Sequence, residues 1–185
     1  HEELFQLQLK YEGLYAPVLN DRSKVLTEGN GVSGFWRNVL MQSELQDVVS
    51  ERDMDALQYL TNISSKTFAV AEKSNKTEEQ KEEDEDLIGG FTLTFTFAQN
   101  PYFSNTELSQ TLYYDKSGDI VEGKADGCTI NWKSQDKNLT VEKKTVKKGG
   151  KKKGAAAQTI TSVIPCESFF NFFGTRNPED DEQED

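Results

Sequence analysis

At 185 residues the chain has room for one domain, or one domain with an appended element. Hydrophobic residues make up 35% and aromatic residues 10%, enough for a core that leaves much of the chain outside it. A net charge of −11 argues against nucleic-acid binding as the main role and favours a basic partner, because clustered charge of one sign steers the opposite sign.

Residues 2–28 read as a helix. Leu4, Leu7, Tyr11, Leu14, Tyr15, Val18, Leu19 and Val25 recur at steps of three and four. Pro17 is expected to kink or interrupt it. The stripe is open at its start, which predicts a helix that begins upstream, and the leading His1 without a methionine fits a trimmed fragment. Such a stripe must be buried, against the domain or against a second copy. GNGVSG at 29–34 follows. It matches a dinucleotide fingerprint in letters, but that motif must follow a strand, and here a helix precedes it, so it reads as a linker. Ser33 is the expected N-cap of a helix over GFWRNVLMQSEL, and Ser50 that of a helix over ERDMDALQYL. Asp53 then falls in a first turn, where a carboxylate suits the helix dipole.

Residues 72–86, EKSNKTEEQKEEDED, read as a charged loop or disordered insert. The period then changes. In GGFTLTFTFAQ, Phe91, Leu93, Phe95 and Phe97 alternate with threonines, the mark of a strand with one apolar face. Asn100–Pro101 ends it. LSQTLYYD (108–115) reads as a second strand, SGD (117–119) as a turn and CTINWK (128–133) as a further strand. LTVEKKTV (139–146) and AQTITSVI (157–164) flank a Lys/Gly island and predict a long hairpin with a basic tip. The island, KKTVKKGGKKK, holds seven lysines and no acid; without them the remaining charge moves from −11 to −18. SFFNFF is expected to close on the core as a short helix, and PEDDEQED to leave the domain. Helices first and strands second is the α+β order, an antiparallel sheet covered by helices on one face.

Little here supports bond-making chemistry. The lone histidine is His1, which removes histidine from triad, general-base and zinc arguments. Cys128 and Cys166 lack metal spacing and fit buried thiols. GGKKKG lacks the spacing of a phosphate loop, and the acid runs lack that of a calcium loop. No cofactor or metal is expected. There is no apolar run of membrane-spanning length and no signal peptide. The acid runs at 78–86 and 179–185 are either solvated surface or a surface for a polycation. The lysine island is either a solvated hairpin tip or a nuclear localisation signal.

The ordered segments VSGFWRNVLMQSEL, ERDMDALQYLTNI, FTLTFTFAQNPYFSNTELSQTLYY, GCTINWKSQDKNLTV and SFFNFF together resemble the nucleosome assembly protein family of histone chaperones over residues 10–173. KYEGLYAPVLNDRSKVL resembles the end of that family's long helix. The resemblance implies an α+β "earmuff" domain with a four-stranded antiparallel sheet behind a dimerisation helix, no enzymatic activity and no cofactor. On this chain the helix is 1–31, the histone-binding domain 32–176 with its hairpin at 139–164, and the acidic tail 177–185. The implied homodimer contact is Leu4, Leu7, Tyr11, Leu14, Tyr15 and Val18. The acidic candidates for core histones are Glu78, Glu79, Glu82, Glu83, Asp84, Glu85, Asp86, Glu179, Asp180, Asp181, Glu182, Glu184 and Asp185. The hairpin lysines expected to carry an import signal are Lys143, Lys144, Lys147, Lys148, Lys151, Lys152 and Lys153. The resemblance thus implies shuttling between nucleus and cytoplasm, with an import receptor as partner and no sequence-specific nucleic-acid binding. The family's helix and acidic tail are longer than those here. Three alternatives are an acidic regulator that inhibits an enzyme such as a phosphatase, a carboxylate hydrolase, and a nucleic-acid binder acting through the lysine hairpin.

Overall fold

The computed structural model of the chain describes residues 2–27, 32, 34–70, 86–148 and 158–176. Helix α1 (Glu2–Thr27) is followed by α2 (Phe35–Met41), a 3-10 helix over Glu44–Val48 and α3 (Glu51–Leu57). Strands β1 (Leu60–Ala69), β2 (Leu87–Phe97), β3 (Glu107–Asp115) and β4 (Ile120–Asp126) then form one antiparallel sheet in the order β1-β2-β3-β4. Strands β5 (Val141–Lys148) and β6 (Gln158–Pro165) pair separately as the hairpin, and a 3-10 helix over Phe169–Phe173 closes the fold.

Helix α1 continues through Pro17, contrary to the expected interruption. Gly13, whose carbonyl loses its usual donor to proline, is exposed, so water can satisfy it. Its 26 residues span about 39 Å at 1.5 Å per residue. One face meets the sheet. Phe5 is buried, with its ring 6.0 Å from that of Tyr114. The Glu12 carboxylate accepts the backbone N–H of Thr67 at 2.9 Å. That contact caps an edge strand, whose outward N–H groups would otherwise be open to another chain. Phe5 fits because residue 89 is glycine: a Cβ there would stand 2.5 Å from the phenyl ring.

Three expectations need correction. Helix α2 is preceded by Gly34 at φ 69°, with no side-chain cap, while Ser33 lies outside the described residues; the helix also stops at Met41, not Leu45. Helix α3 stops at Leu57, and Leu60 already belongs to β1, a strand the sequence reading did not separate. CTINWK is not a strand. Trp132 makes one isolated bridge to Phe103, and the segment is stitched to the 102–105 loop through Lys133 N–H to Tyr102 O (2.8 Å) and Ser104 N–H to Asn131 O (3.0 Å). The fourth strand is instead IVEGKAD, whose Gly123 sits at φ 71° and whose charges obscure its pattern.

The apolar face of β2 carries the core. Phe95 and Phe97 pack with Leu40, Ala56, Leu57 and Leu108 and with three phenylalanines of the closing segment, Phe169, Phe170 and Phe173. The rings meet edge to face, Phe95 on Phe173 at 5.2 Å and Phe97 on Phe103 at 5.0 Å, the arrangement their quadrupoles favour. The closing segment approaches β4 so tightly that a Cβ on Gly127 would fall 2.0 Å from the Phe173 carbonyl oxygen.

Candidate functional surfaces

Side chains alternate across a strand, so the face of the sheet opposite the phenylalanine core can be read from the register. Its rows are Asn62–Thr96–Glu107, then Ser64–Thr94–Ser109, then Lys66–Thr92–Thr111–Asp126, then Phe68–Gly90–Tyr113. The first three rows are hydroxyls, an amide and a few charges, all half-buried or exposed. Thr92 Oγ1 and Thr111 Oγ1 lie 2.9 Å apart, a cross-strand hydroxyl pair. The fourth row differs. The Phe68 ring stands 6.1 Å from Tyr113 at 80°, Lys124 Nζ lies 5.5 Å from the Tyr113 centroid, and the Tyr113 hydroxyl donates to the Asp126 carboxylate. Burial, reinforced by that hydrogen bond, pushes the Tyr113 hydroxyl well above the usual tyrosine range, so it stays a neutral donor.

Of the acidic candidates, only Asp86 is described. It stands exposed at the head of β2, with Lys116 Nζ 2.9 Å from its carboxylate. Glu78, Glu79, Glu82, Glu83, Asp84 and Glu85, and Glu179 to Asp185, lie outside the described residues. Of the hairpin lysines, Lys143 and Lys144 are exposed on β5, and Lys147 and Lys148 continue its ladder opposite Thr159 and Gln158. Lys151, Lys152 and Lys153 lie outside the described residues. Lys143 pairs with Asp136 and holds that carboxyl below its ordinary range.

The α1 candidates do come together. Leu4, Leu7, Tyr11, Leu14, Tyr15 and Val18 are all 46–68% exposed, on the side away from Phe5 and Glu12. Leu4, Leu7, Tyr11, Leu14 and Val18 follow alternating steps of three and four, the a/d seam of a two-helix contact.

Two residues position these surfaces through long-range contacts that local spacing does not reveal. Asp53 is fully buried. Its carboxylate accepts from Ser50 N–H (2.9 Å), Ser168 Oγ–H (2.6 Å) and Phe169 N–H (2.9 Å), so it completes the capping box of α3 and also caps the closing 3-10 helix. Arg52 beside it donates to Val141 O (3.0 Å) and Asn138 O (3.1 Å), fastening the base of the hairpin to α3. The capping box was a local signal; the partners more than eighty residues away left none.

Among the described residues no three His, Cys, Asp or Glu side chains converge as a metal site, and no helix is long and apolar enough to cross a membrane. Cys128 and Cys166 are free thiols of intermediate burial.

Residues 26–185 match the family model described as nucleosome assembly protein. The chain is 34% identical to nucleosome assembly protein 1;3 of Arabidopsis thaliana over 208 aligned positions, which take in 100% of this chain and 50% of that protein. It is 33% identical to a probable nucleosome assembly protein of Dictyostelium discoideum over 177 positions, 92% of this chain and 48% of that one. Among solved structures, nucleosome assembly protein 1 from Plasmodium knowlesi superposes with a TM-score of 0.62 at 27% identity, over 98% of this chain and 72% of that one. The chain spans about half the length of the curated relatives it matches.

Proposed function

Because this chain belongs to the nucleosome assembly protein family, a family of histone chaperones and not of enzymes, we propose that it binds core histones and assists nucleosome assembly, disassembly and histone transport. The observation that carries the reading is the division of the sheet. One face is filled by Phe95, Phe97 and the closing phenylalanines; the other is lined by hydroxyls and left half-exposed. The acid run at 78–86 lies in the connection between β1 and β2, two of the three strands that carry that open face.

The chemistry is charge competition. Histone affinity for DNA comes largely from phosphate charge, and a polyanionic surface competes for the same lysines and arginines. The acid run at 179–185 acts as a second polyanion. The exposed seam of α1 is the homodimer contact, the partner being a second α1. The hairpin lysines are the signal read by an import receptor, so the protein works in both nucleus and cytoplasm.

Titration with core histone dimers and tetramers at about 150 and about 300 mM salt tests the reading, since screening separates generic charge from a shaped surface. Saturable binding that persists at the higher salt is expected. Binding that vanishes there would reduce the chain to a generic polyanion and bring forward the enzyme-regulator reading.

A further inference from the structure

The shoulder between α2 and α3 turns two apolar side chains outward. In the 3-10 helix over Glu44–Val48, side chains three apart eclipse one another, so Leu45 stands over Val48 and Glu44 over Asp47. Leu45 is 46% and Val48 55% exposed, and Val39 on α2, which packs against this turn, is 40% exposed. The outward pose is fixed from both ends. Ser43 Oγ accepts the Leu45 N–H (3.2 Å) and donates to Leu40 O (2.8 Å), while Val49 packs on the core. Carboxylates flank the apolar pair: Glu44, Asp47 and, at the start of α3, Glu51 are all exposed. Among the described residues none of the three has an ion-pair partner. The one cation in the sequence between Asn38 and Ser65 is Arg52, and its guanidinium is engaged by the hairpin carbonyls of Val141 and Asn138.

We propose that this shoulder docks a basic amphipathic segment of a protein partner, its apolar side chains on Leu45 and Val48 and its lysines or arginines against Glu44, Asp47 and Glu51. Calling that partner a histone rests on the reading above; the apolar and basic chemistry does not. The carboxylates choose among occupants. A second copy meeting this face across a twofold axis would set the same acids against each other, and an anionic lipid surface would be repelled. A basic segment pairs the acids and covers the apolar side chains together. Its charge contacts are screened by salt, whereas its apolar contact is not. The shoulder thereby supplies what the acid runs at 78–86 and 179–185 cannot, since neither run holds an apolar side chain.

The test uses the whole chain and a helical peptide of leucines and lysines as probe, with oligolysine as the charge-only control. Anisotropy of the labelled peptide reads binding at about 150 and about 300 mM salt, and amide NMR shifts read its position. The helical peptide is expected to shift Leu45 and Val48 and to keep most of its affinity at the higher salt. Leu45→Ser with Val48→Ser should weaken it about tenfold to thirtyfold and leave oligolysine unchanged. Glu44→Gln with Asp47→Asn should weaken it more at the lower salt than at the higher. Ile120→Ser, at a comparably exposed apolar position on β4, should change neither peptide. Wild-type shifts that bypass residues 44–51, or equal losses from the serine pair and Ile120→Ser, overturn the proposal; the wild-type shifts decide it even where a variant fails to fold. Loss of self-association in the serine pair would put a second copy on the shoulder and overturn it too. A chain that takes the peptide here and ignores histones would uphold the site and overturn the histone reading; histone binding with the shoulder bypassed would do the reverse.

Discussion

Replacing Asp53 by alanine should loosen two segments far apart in sequence at once. Its carboxylate, fully buried, accepts three hydrogen bonds, from Ser50 N–H, Ser168 Oγ–H and Phe169 N–H. Alanine leaves those donors without their acceptor. Losing an N-cap interaction costs about 1 kcal/mol, and each buried donor left unsatisfied costs about 1–3 kcal/mol. Ser50 is only partly buried and water can reach it, so the two donors at Ser168 and Phe169 dominate. The expected total is about 3–7 kcal/mol, a large share of a typical domain stability of about 5–15 kcal/mol. Urea denaturation followed by tryptophan fluorescence reads it directly, since Trp132 packs 5.6 Å from Phe170 of the closing helix. For a chain of this size the melting temperature should fall by roughly 6–28 °C. Asp53→Asn keeps one acceptor oxygen and should fall between alanine and wild type. Ser168→Ala combined with Asp53→Ala should cost less than the sum, because the two share a bond. A loss below about 1 kcal/mol for Asp53→Ala would refute the claim that this carboxylate joins α3 to the closing segment.

If the α1 seam is the proposed dimer contact, Leu7→Glu with Leu14→Glu should give a monomer in sedimentation while changing the unfolding free energy of the sheet domain by no more than about 0.5 kcal/mol, since both side chains are exposed. An unchanged sedimentation coefficient would overturn the proposed dimer contact. Gly127→Ala must displace the Phe173 carbonyl, 2.0 Å from the new methyl, and should destabilise by about 1–3 kcal/mol in the same denaturation assay. Asp136, whose pairing with Lys143 depresses its folded pKa, favours the folded hairpin above the ordinary carboxylate value of about 4 and loses that contribution as pH falls through the depressed value. An NMR titration should place its midpoint below that of a free aspartate, and Lys143→Met should return it upward.

The elements legible in the sequence are those whose signal is local. The alternation of Phe91, Leu93, Phe95 and Phe97 made β2 plain, the lysine island between two β-prone runs outlined the hairpin, and Ser50 with Asp53 marked the start of α3. Strand β1 was masked because Leu60 follows the helical pattern of α3 without a break, and Ser64 to Lys66 offer no apolar alternation. Strand β4 was hidden by Glu122, Gly123 and Lys124, residues that are poor in strands alone but tolerated at a sheet edge. CTINWK misled for the opposite reason: its alternation is strand-like, yet the strand beside β3 is already β4, so Trp132 and Ile130 pack on the core from an irregular segment.

Residue type and spacing alone determined the α+β order, the apolar face of β2, the apolar stripe of α1, the two acid runs and the family resemblance later met by the match over residues 26–185. Tertiary structure alone decided which strands pair, that Asp53 caps two helices, that Arg52 fastens the hairpin and that Phe68, Tyr113, Lys124 and Asp126 share one corner. The division has a physical cause. Periodicity and capping act within a few residues and are written into short stretches, whereas the partner of a buried carboxylate or an aromatic ring is chosen by chain reversals that join residues more than a hundred positions apart, as they do Asp53 and Phe169.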